Sequence, residues 1–314
     1  MALGRRRQRE VEGWESVVFF PTEVEVARVR RRPGERPQLL SWDSYGTEGT
    51  ETETLNRLQK ANRLGQGRCT TLLAHGQYQM IQTEAPAVPT EERRDALRWR
   101  IKEMVDFPVE SAGIDVFDIP ASSGGIGGRA PQVYVVAAPN AALAQRIQAF
   151  QAARLPLSTI DIPELAQRNV AALFEEENRG LALLAFSHQG GCLTFTYQGE
   201  LFASRHIDVT QAEMLAAGNG GNAALFERVL LDVQRSMDNF DRTYSFITLS
   251  RLLVAPLPGA EAFIGLLRES LFQPVEVLDL SLGLDIAAVP VLAEPLRQSE
   301  ALLAIGAALR DELP

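Results

Sequence analysis

The chain has 314 residues, of which 46% are hydrophobic, 23% charged and 7% aromatic, with a formal net charge of −9. Those proportions fit a folded globular protein and exclude a disordered chain, a fibrous rod and a disulfide-stapled miniprotein. An acidic total also argues against nucleic acid as a partner, because phosphate binding rests on a cationic face that releases counterions.

The chain opens with Arg5, Arg6, Arg7 and Arg9, and residues 1–13 read as a flexible basic lead. Arg28, Arg30, Arg31, Arg32 and Arg36 follow. Two readings stand for this charge: a solvated end and hairpin edge, or attraction to an anionic membrane surface, worth ~1 kcal/mol per basic residue near the lipid. No apolar core follows the leading arginines, so they do not read as a secretory signal.

Residues 17–20 form a short apolar run, Pro21-Thr22-Glu23 a turn, and residues 24–29 alternate with period two, which predicts a β-hairpin. Residues 37–42 offer a third strand, and 52–64 a helix with Leu55, Leu58, Ala61 and Leu64 near one face. Strands follow at 69–74 and 77–82. After the Pro-rich stretch 85–89, Thr90 is placed to cap a helix with the stripe Leu97, Ile101, Met104 and Val105, ended by Phe107-Pro108. Strands at 114–119 and 132–137 flank a Gly-rich segment, 122–131, and Asn140 is placed to cap a helix with the stripe Leu143, Ile147 and Phe150. The block 78–155 therefore has a βαββα pattern.

Residues 157–162 read as a strand, and Pro163 as the start of a helix running to about residue 177. The pattern then restarts. Strands at 181–186, 193–197 and 201–207 form a meander, with a turn at 188–191. A polar loop at 218–222 precedes a long helix over 223–244, with Phe226, Val229, Leu230, Val233, Met237 and Phe240 on one side. A strand (247–254), a helix (260–271), a strand (275–278) and a closing helix (296–309) complete the chain. A meander followed by a helix thus occurs twice, which predicts an α/β protein of two related halves, the first with an inserted block.

Chemistry-bearing residues are sparse. Cys69 and Cys192 form no metal-binding spacing and read as two buried thiols. His75, His188 and His206 share no short motif. No apolar run approaches the ~20 residues that span a bilayer. Glycines 124, 125, 127 and 128 join two strands rather than a strand and a helix, so a dinucleotide fingerprint fails on context. Neither Ser187 nor Ser204 sits in a nucleophile elbow. No catalytic or metal-binding residue is predicted.

Three segments are more specific: ALRWRIKEMVDFPVESAGIDVFDIP from Ala96, STIDIPELAQRN from Ser158 and DVQRSMDNFDRTYSFI from Asp232. Together they resemble the MshI proteins of mannose-sensitive haemagglutinin (MSHA) pilus assembly, which are similar to PilM of type IV pili and to the cytoplasmic part of the type II secretion L protein. The resemblance spans about residues 15–310. It implies an actin-like ATPase fold with two RNase-H-like lobes around a cleft: a first lobe at 14–177 with an inserted subdomain at about 78–155, and a second at 178–314 whose closing helix, 296–310, returns to the first. It also implies a cytoplasmic place peripheral to the inner membrane. The implied partners are the cytoplasmic tail of an inner-membrane pilus assembly protein and the assembly ATPase.

Nucleotide-binding members of that fold hold phosphates on two Gly-rich hairpin turns, with Mg²⁺ organised by nearby carboxylates, and the adenosine on a third Gly-rich loop. Here the first turn is Pro21-Thr22-Glu23, which has no glycine, and Pro21 lacks an N–H. The second, at 187–191, keeps Gly190 and Gly191 but has Phe186-Ser187 where PilM-like proteins carry an acidic residue. A tight hairpin would use the same glycines. The third, at 255–259, has Pro256 and Pro258 and retains only Gly259. Burying a triphosphate–metal pair without donors or carboxylates is very costly. The expectation is a non-catalytic scaffold without cofactor, in type IV (MSHA-type) pilus assembly or a type II secretion-like platform. In the alternative, a PilM-type ATPase using ATP and magnesium, Ser187, Gly190, Gly191 and Gly259 would contact the nucleotide.

Overall fold

The structure, a computed structural model, describes residues 13–65, 67–120, 130–220 and 222–310. Arg5, Arg6, Arg7, Arg9 and glycines 124, 125, 127 and 128 lie outside the described residues.

The first half runs β1 (Trp14–Phe19), β2 (Glu23–Arg30), β3 (Gln38–Gly46), α1 (Glu51–Lys60), β4 (Arg68–Leu72), β5 (Gln79–Glu84), α2 (Arg93–Arg100), β6 (Ala112–Ile119), β7 (Gln132–Pro139), α3 (Asn140–Ala152), β8 (Leu157–Asp161) and α4 (Pro163–Ala171). The second half runs β9 (Gly180–Ser187), β10 (Gly190–Tyr197), β11 (Glu200–Ile207), α5 (Gln211–Gly220), α6 (Ala223–Thr243), β12 (Leu249–Val254), α7 (Glu261–Ser270), β13 (Val275–Val277) and α8 (Pro295–Ala308).

Each half builds one five-stranded sheet, and the two have the same topology. The first is ordered β3-β2-β1-β4-β8 and the second β11-β10-β9-β12-β13. In both, the first three strands form an antiparallel meander, and the next two add parallel to the first strand's side. A third, antiparallel sheet, β5-β7-β6, occupies the inserted block.

Alternation in β2 divides the first half's core. Val24 and Val26 face α1 and α3, with Leu55, Leu58 and Phe150, while Ala27 and Val29 face α8. Strand β9 is buried on both faces, which explains its unbroken apolar run: Leu181, Leu183 and Ala185 pack on one side, Ala182, Leu184 and Phe186 on the other. All six residues expected on the inner stripe of α6 are buried. Helix α1 opens on a capping box in which Thr50 and Glu53 satisfy each other's backbone N–H, and Pro163 occupies the first turn of α4.

Several local expectations are corrected. Helix α2 ends at Arg100, and residues 101–107 form turns, so Met104 is exposed rather than part of the stripe. Thr90 lies in a 3₁₀ turn and caps nothing with its side chain. Asn140 is the first residue of α3, and no side chain caps that helix. Ile147 faces solvent because the buried face of α3 is rotated onto Arg146, Ala149 and Phe150. Helix α4 stops at Ala171, well before residue 177. Residues 211–220, whose last part read as loop, form α5.

Two bodies of contact tie the halves together away from the hairpin tips. Helix α8 is buried almost throughout, between α4, β1 and β2, and Ser16 Oγ donates to the Ala304 carbonyl at 2.6 Å. The inserted sheet leans on the second half. Ile119 and Tyr134 join its core, Tyr134 Oη donates to the Phe202 carbonyl at 3.1 Å, and Gln82 Nε2 donates to Tyr244 Oη at 3.1 Å.

Candidate functional site where the hairpin turns meet

The first turn joins β1 to β2 through Phe20, Pro21 and Thr22, closed by a bond from Phe20 N to the Glu23 carbonyl at 2.8 Å. The second joins β9 to β10 through His188 and Gln189. Because the two sheets have the same topology, these turns occupy corresponding corners. They touch. His188 Nε2 lies 2.9 Å from Glu23 Oε1, and the His188 ring sits 5.3 Å from that of Phe20. Beside them Gln189 Oε1 accepts the backbone N–H of His75 at 2.8 Å. The His75 ring stacks on His206 of β11, with centroids 3.5 Å apart and planes 14° from parallel.

The residues expected to touch a nucleotide divide. Ser187, Gly190 and Gly191 line this recess, and Gly259 does not. Ser187 Oγ is used inside its own turn: it donates to the Gly190 carbonyl at 3.2 Å and accepts the Gln189 N–H at 3.1 Å. Both turn glycines answer to packing. A Cβ on Gly190, whose φ is +118°, would lie 2.6 Å from His206 Cε1, and one on Gly191 would lie 2.7 Å from the Phe186 ring. Gly259, at φ +90°, sits in a loop whose Pro256 and Leu257 are buried. Its carbonyl oxygen would lie 2.0 Å from a Cβ on Gly218, so that loop is pressed against α5.

Below the turns the recess measures about 40 Å³ and is walled by Tyr78, Glu164, Gln167 and Leu303 among others. A cleft that engulfs an organic ligand offers ~300–1,000 Å³. Gln167 braces its floor, its Nε2 lying within hydrogen-bond reach of the carbonyls of Leu183 (2.7 Å) and Cys192 (3.0 Å) and of Thr194 Oγ1 (3.0 Å), among which its two N–H are shared. Tyr78 Oη donates to Glu164, and burial raises the pKa of both groups, so the pair holds its proton. Burial, then the nearby Glu164, also raises the Cys192 thiol. For His206, burial and then the adjoining His75 depress the pKa below the ordinary histidine value. Among the described residues no group of three or more His, Cys, Asp or Glu is placed to hold a metal ion. No described helix is long and apolar enough to cross a membrane.

Sequence reasoning named Glu23, His188 and the glycines, but not their contact with one another. His75 and His206 were not connected to the site. The three histidines stand at positions 75, 188 and 206, and no local spacing signals that folding will gather them.

No family model matches the chain, and no curated protein matches it. Solved structures do. A chain of the PilM–PilN type IV pilus biogenesis complex is 18% identical, with 95% of this chain and 98% of that one covered at a TM-score of 0.76. A Bacteroides thetaiotaomicron protein of unknown function with an actin-like ATPase fold is 10% identical, with 93% and 99% covered at 0.53. The cytoplasmic domain of EpsL, an inner-membrane component of the Vibrio cholerae type II secretion system, is 13% identical over 92% and 96%, but its TM-score of 0.49 is too low to bear on this chain. With its repeated sheet topology, the chain has the actin-like ATPase fold, two RNase-H-like lobes with a subdomain inserted in the first.

Proposed function

We propose that this protein is a non-catalytic scaffold of a pilus assembly platform of the type IV, MSHA kind, which keeps the actin-like body as a shape for recruiting other proteins. The observation that carries the reading is the direct contact of Glu23 with His188 at 2.9 Å, where the two hairpin turns would otherwise cradle a polyphosphate. A phosphate between those turns needs free backbone N–H donors. The second turn instead spends its Gln189 N–H on Ser187, and Pro21 in the first has none to offer. A highly charged ligand would also meet apolar walls and a recess of about 40 Å³.

The place in a pilus platform is supported by the three segments that resemble MshI proteins and by the likeness to a chain of the PilM–PilN complex. The partners that follow are an extended cytoplasmic tail of an inner-membrane pilus assembly protein, held in a groove as an added strand or PPII segment, and the assembly ATPase. The protein then works at the cytoplasmic face of the inner membrane. Isothermal calorimetry with ATP and Mg²⁺ tests the first half of the reading. No heat of binding at millimolar nucleotide is expected, and micromolar affinity would turn the protein into an ATPase of the PilM type. A pull-down with the partner's tail tests the second half: capture at low salt is expected, and its absence would count against the scaffold role.

A further inference from the structure

All three histidines of the chain stand where the lobes' hairpin turns meet. We propose that this joint is a proton-operated latch: acidification parts the His75–His206 stack and moves the turn between β4 and β5 away from the second lobe.

The argument starts from the stack. Two neutral imidazoles lie face to face comfortably at a centroid separation of 3.5 Å. Two imidazolium rings at that distance repel, with little intervening water to screen them. His206 is the more confined of the two rings. Its ring lies against the backbone of Gly190, where even a methyl group would come within 2.6 Å of Cε1. His75 can move. It is exposed, on the turn between β4 and β5, and besides the stack it holds the second lobe through the bond from its N–H to Gln189 Oε1. Relief therefore comes by moving the first-lobe turn away from the second lobe.

The neighbouring charges do not cancel this. Next to His206, Arg205 opposes its protonation and Asp208 favours it, and both act less strongly than or alongside burial and His75. From below, the Tyr78 hydroxyl donates to Glu164, and neither group is among those that set the His206 pKa. Gln211 of α5 is committed to Ser299 of α8, and Glu300 of α8 to Arg297. Across the joint, Glu23 faces His188 rather than the stack. The sign follows: a histidine depressed in the folded protein supports the closed joint above its ordinary value of 6.5, and that support is lost as pH falls below it.

Hydrogen exchange of the full chain at pH 7.5 and pH 5.0, corrected for the intrinsic rate, reads the latch at the His75 amide and at residues 187–191. In the natural protein the protection of the His75 amide is expected to fall about fivefold or more at pH 5.0, the factor that two charges ~4 Å apart produce even at the dielectric of water. His75→Phe keeps a stacking ring without a charge and should hold its protection at both pH values. His75→Gln, which removes the ring, should be equally unprotected at both. Unchanged protection in the natural protein, or an equal loss in His75→Phe, overturns the proposal.

Discussion

Helix α8 is the longest buried bridge in the molecule, and one glycine decides how closely it seats. A Cβ on Gly306 would lie 2.1 Å from the Ala166 carbonyl oxygen, 2.7 Å from that carbonyl carbon and 3.2 Å from Val170 Cγ2. The first two are backbone atoms of α4 and cannot rotate aside. Gly306→Ala must therefore push α8 and α4 apart by about 1 Å, at the upper end of the ~1–3 kcal/mol that overpacking costs. The same movement stretches the bond from Asn169 Nδ2 to the Gly306 carbonyl, now 2.9 Å, at a further ~1 kcal/mol. Against this stands the helix-propensity gain of alanine over glycine, ~1 kcal/mol. The net expectation is a loss of ~2–3 kcal/mol. Gly265 supplies the opposite case. It lies inside α7 with nothing within 4 Å of an added Cβ, so Gly265→Ala should gain ~0.5–1 kcal/mol from propensity alone. Urea denaturation followed by far-UV dichroism reads both. The midpoint should fall for Gly306→Ala and rise for Gly265→Ala, with the slope unchanged. A Gly306→Ala midpoint at or above that of the natural protein would refute the close seating of α8 on α4.

Three further outcomes follow from buried titratable groups. Glu25 is 1% exposed, and burial raises its pKa well above 4.5 despite the Trp42 Nε1 donor at 3.4 Å. The folded state thus binds the extra proton, and stability falls as pH rises above 4.5; Glu25→Gln should be more stable than the natural protein at pH 8, with the gap closing towards pH 4 in paired melting curves. Asp161 is buried against Arg310, and burial outweighs that arginine in setting its raised pKa. Arg310→Ala should cost ~2–3 kcal/mol at pH 8, where the carboxylate is stranded, and less as pH is lowered towards the raised Asp161 pKa; a cost that does not change with pH would reject the coupling. Burial raises the thiols of Cys69, which is buried, and of Cys192, which is half-buried on the recess, so a thiol reagent such as DTNB at pH 8 should reach Cys69 only on the timescale of unfolding, and two fast equivalents would contradict the packing.

Where the hydrophobic period is long, the sequence was legible. Helix α6 shows this over 21 residues, and β9 through its unbroken run. Where one residue breaks the pattern for a tertiary reason, it was not. Asparagine and glycine made the end of α5 read as loop, yet Gly218 is there because the Gly259 carbonyl lies against it. In α3 the inner face turns on Arg146, a charged residue at a core position. Its guanidinium lies 4.6 Å from the Phe19 ring and 3.4 Å from Glu51, contacts no local pattern announces. The end of α2 escaped notice because Phe107-Pro108 marks where a helix must have stopped, and this one had stopped at Arg100.

The glycine pair in the second turn shows how a motif and its geometry can part. As sequence, Gly190 and Gly191 fit a phosphate cradle and a tight hairpin equally well. In the fold each has its own neighbour: Gly190 makes room for His206, and Gly191 for the ring of Phe186. The turn's hydrogen bonds close on Ser187 rather than pointing outward. His206 in turn carries the stack with His75 of the other lobe. A methyl group at residue 190 would therefore act first on the contact between lobes, by displacing the imidazole. Gly190→Ala should raise hydrogen exchange at the His75 amide already at pH 7.5, in the absence of any nucleotide. If exchange there is unchanged while some ligand affinity is lost, the glycine serves a bound group and not the joint.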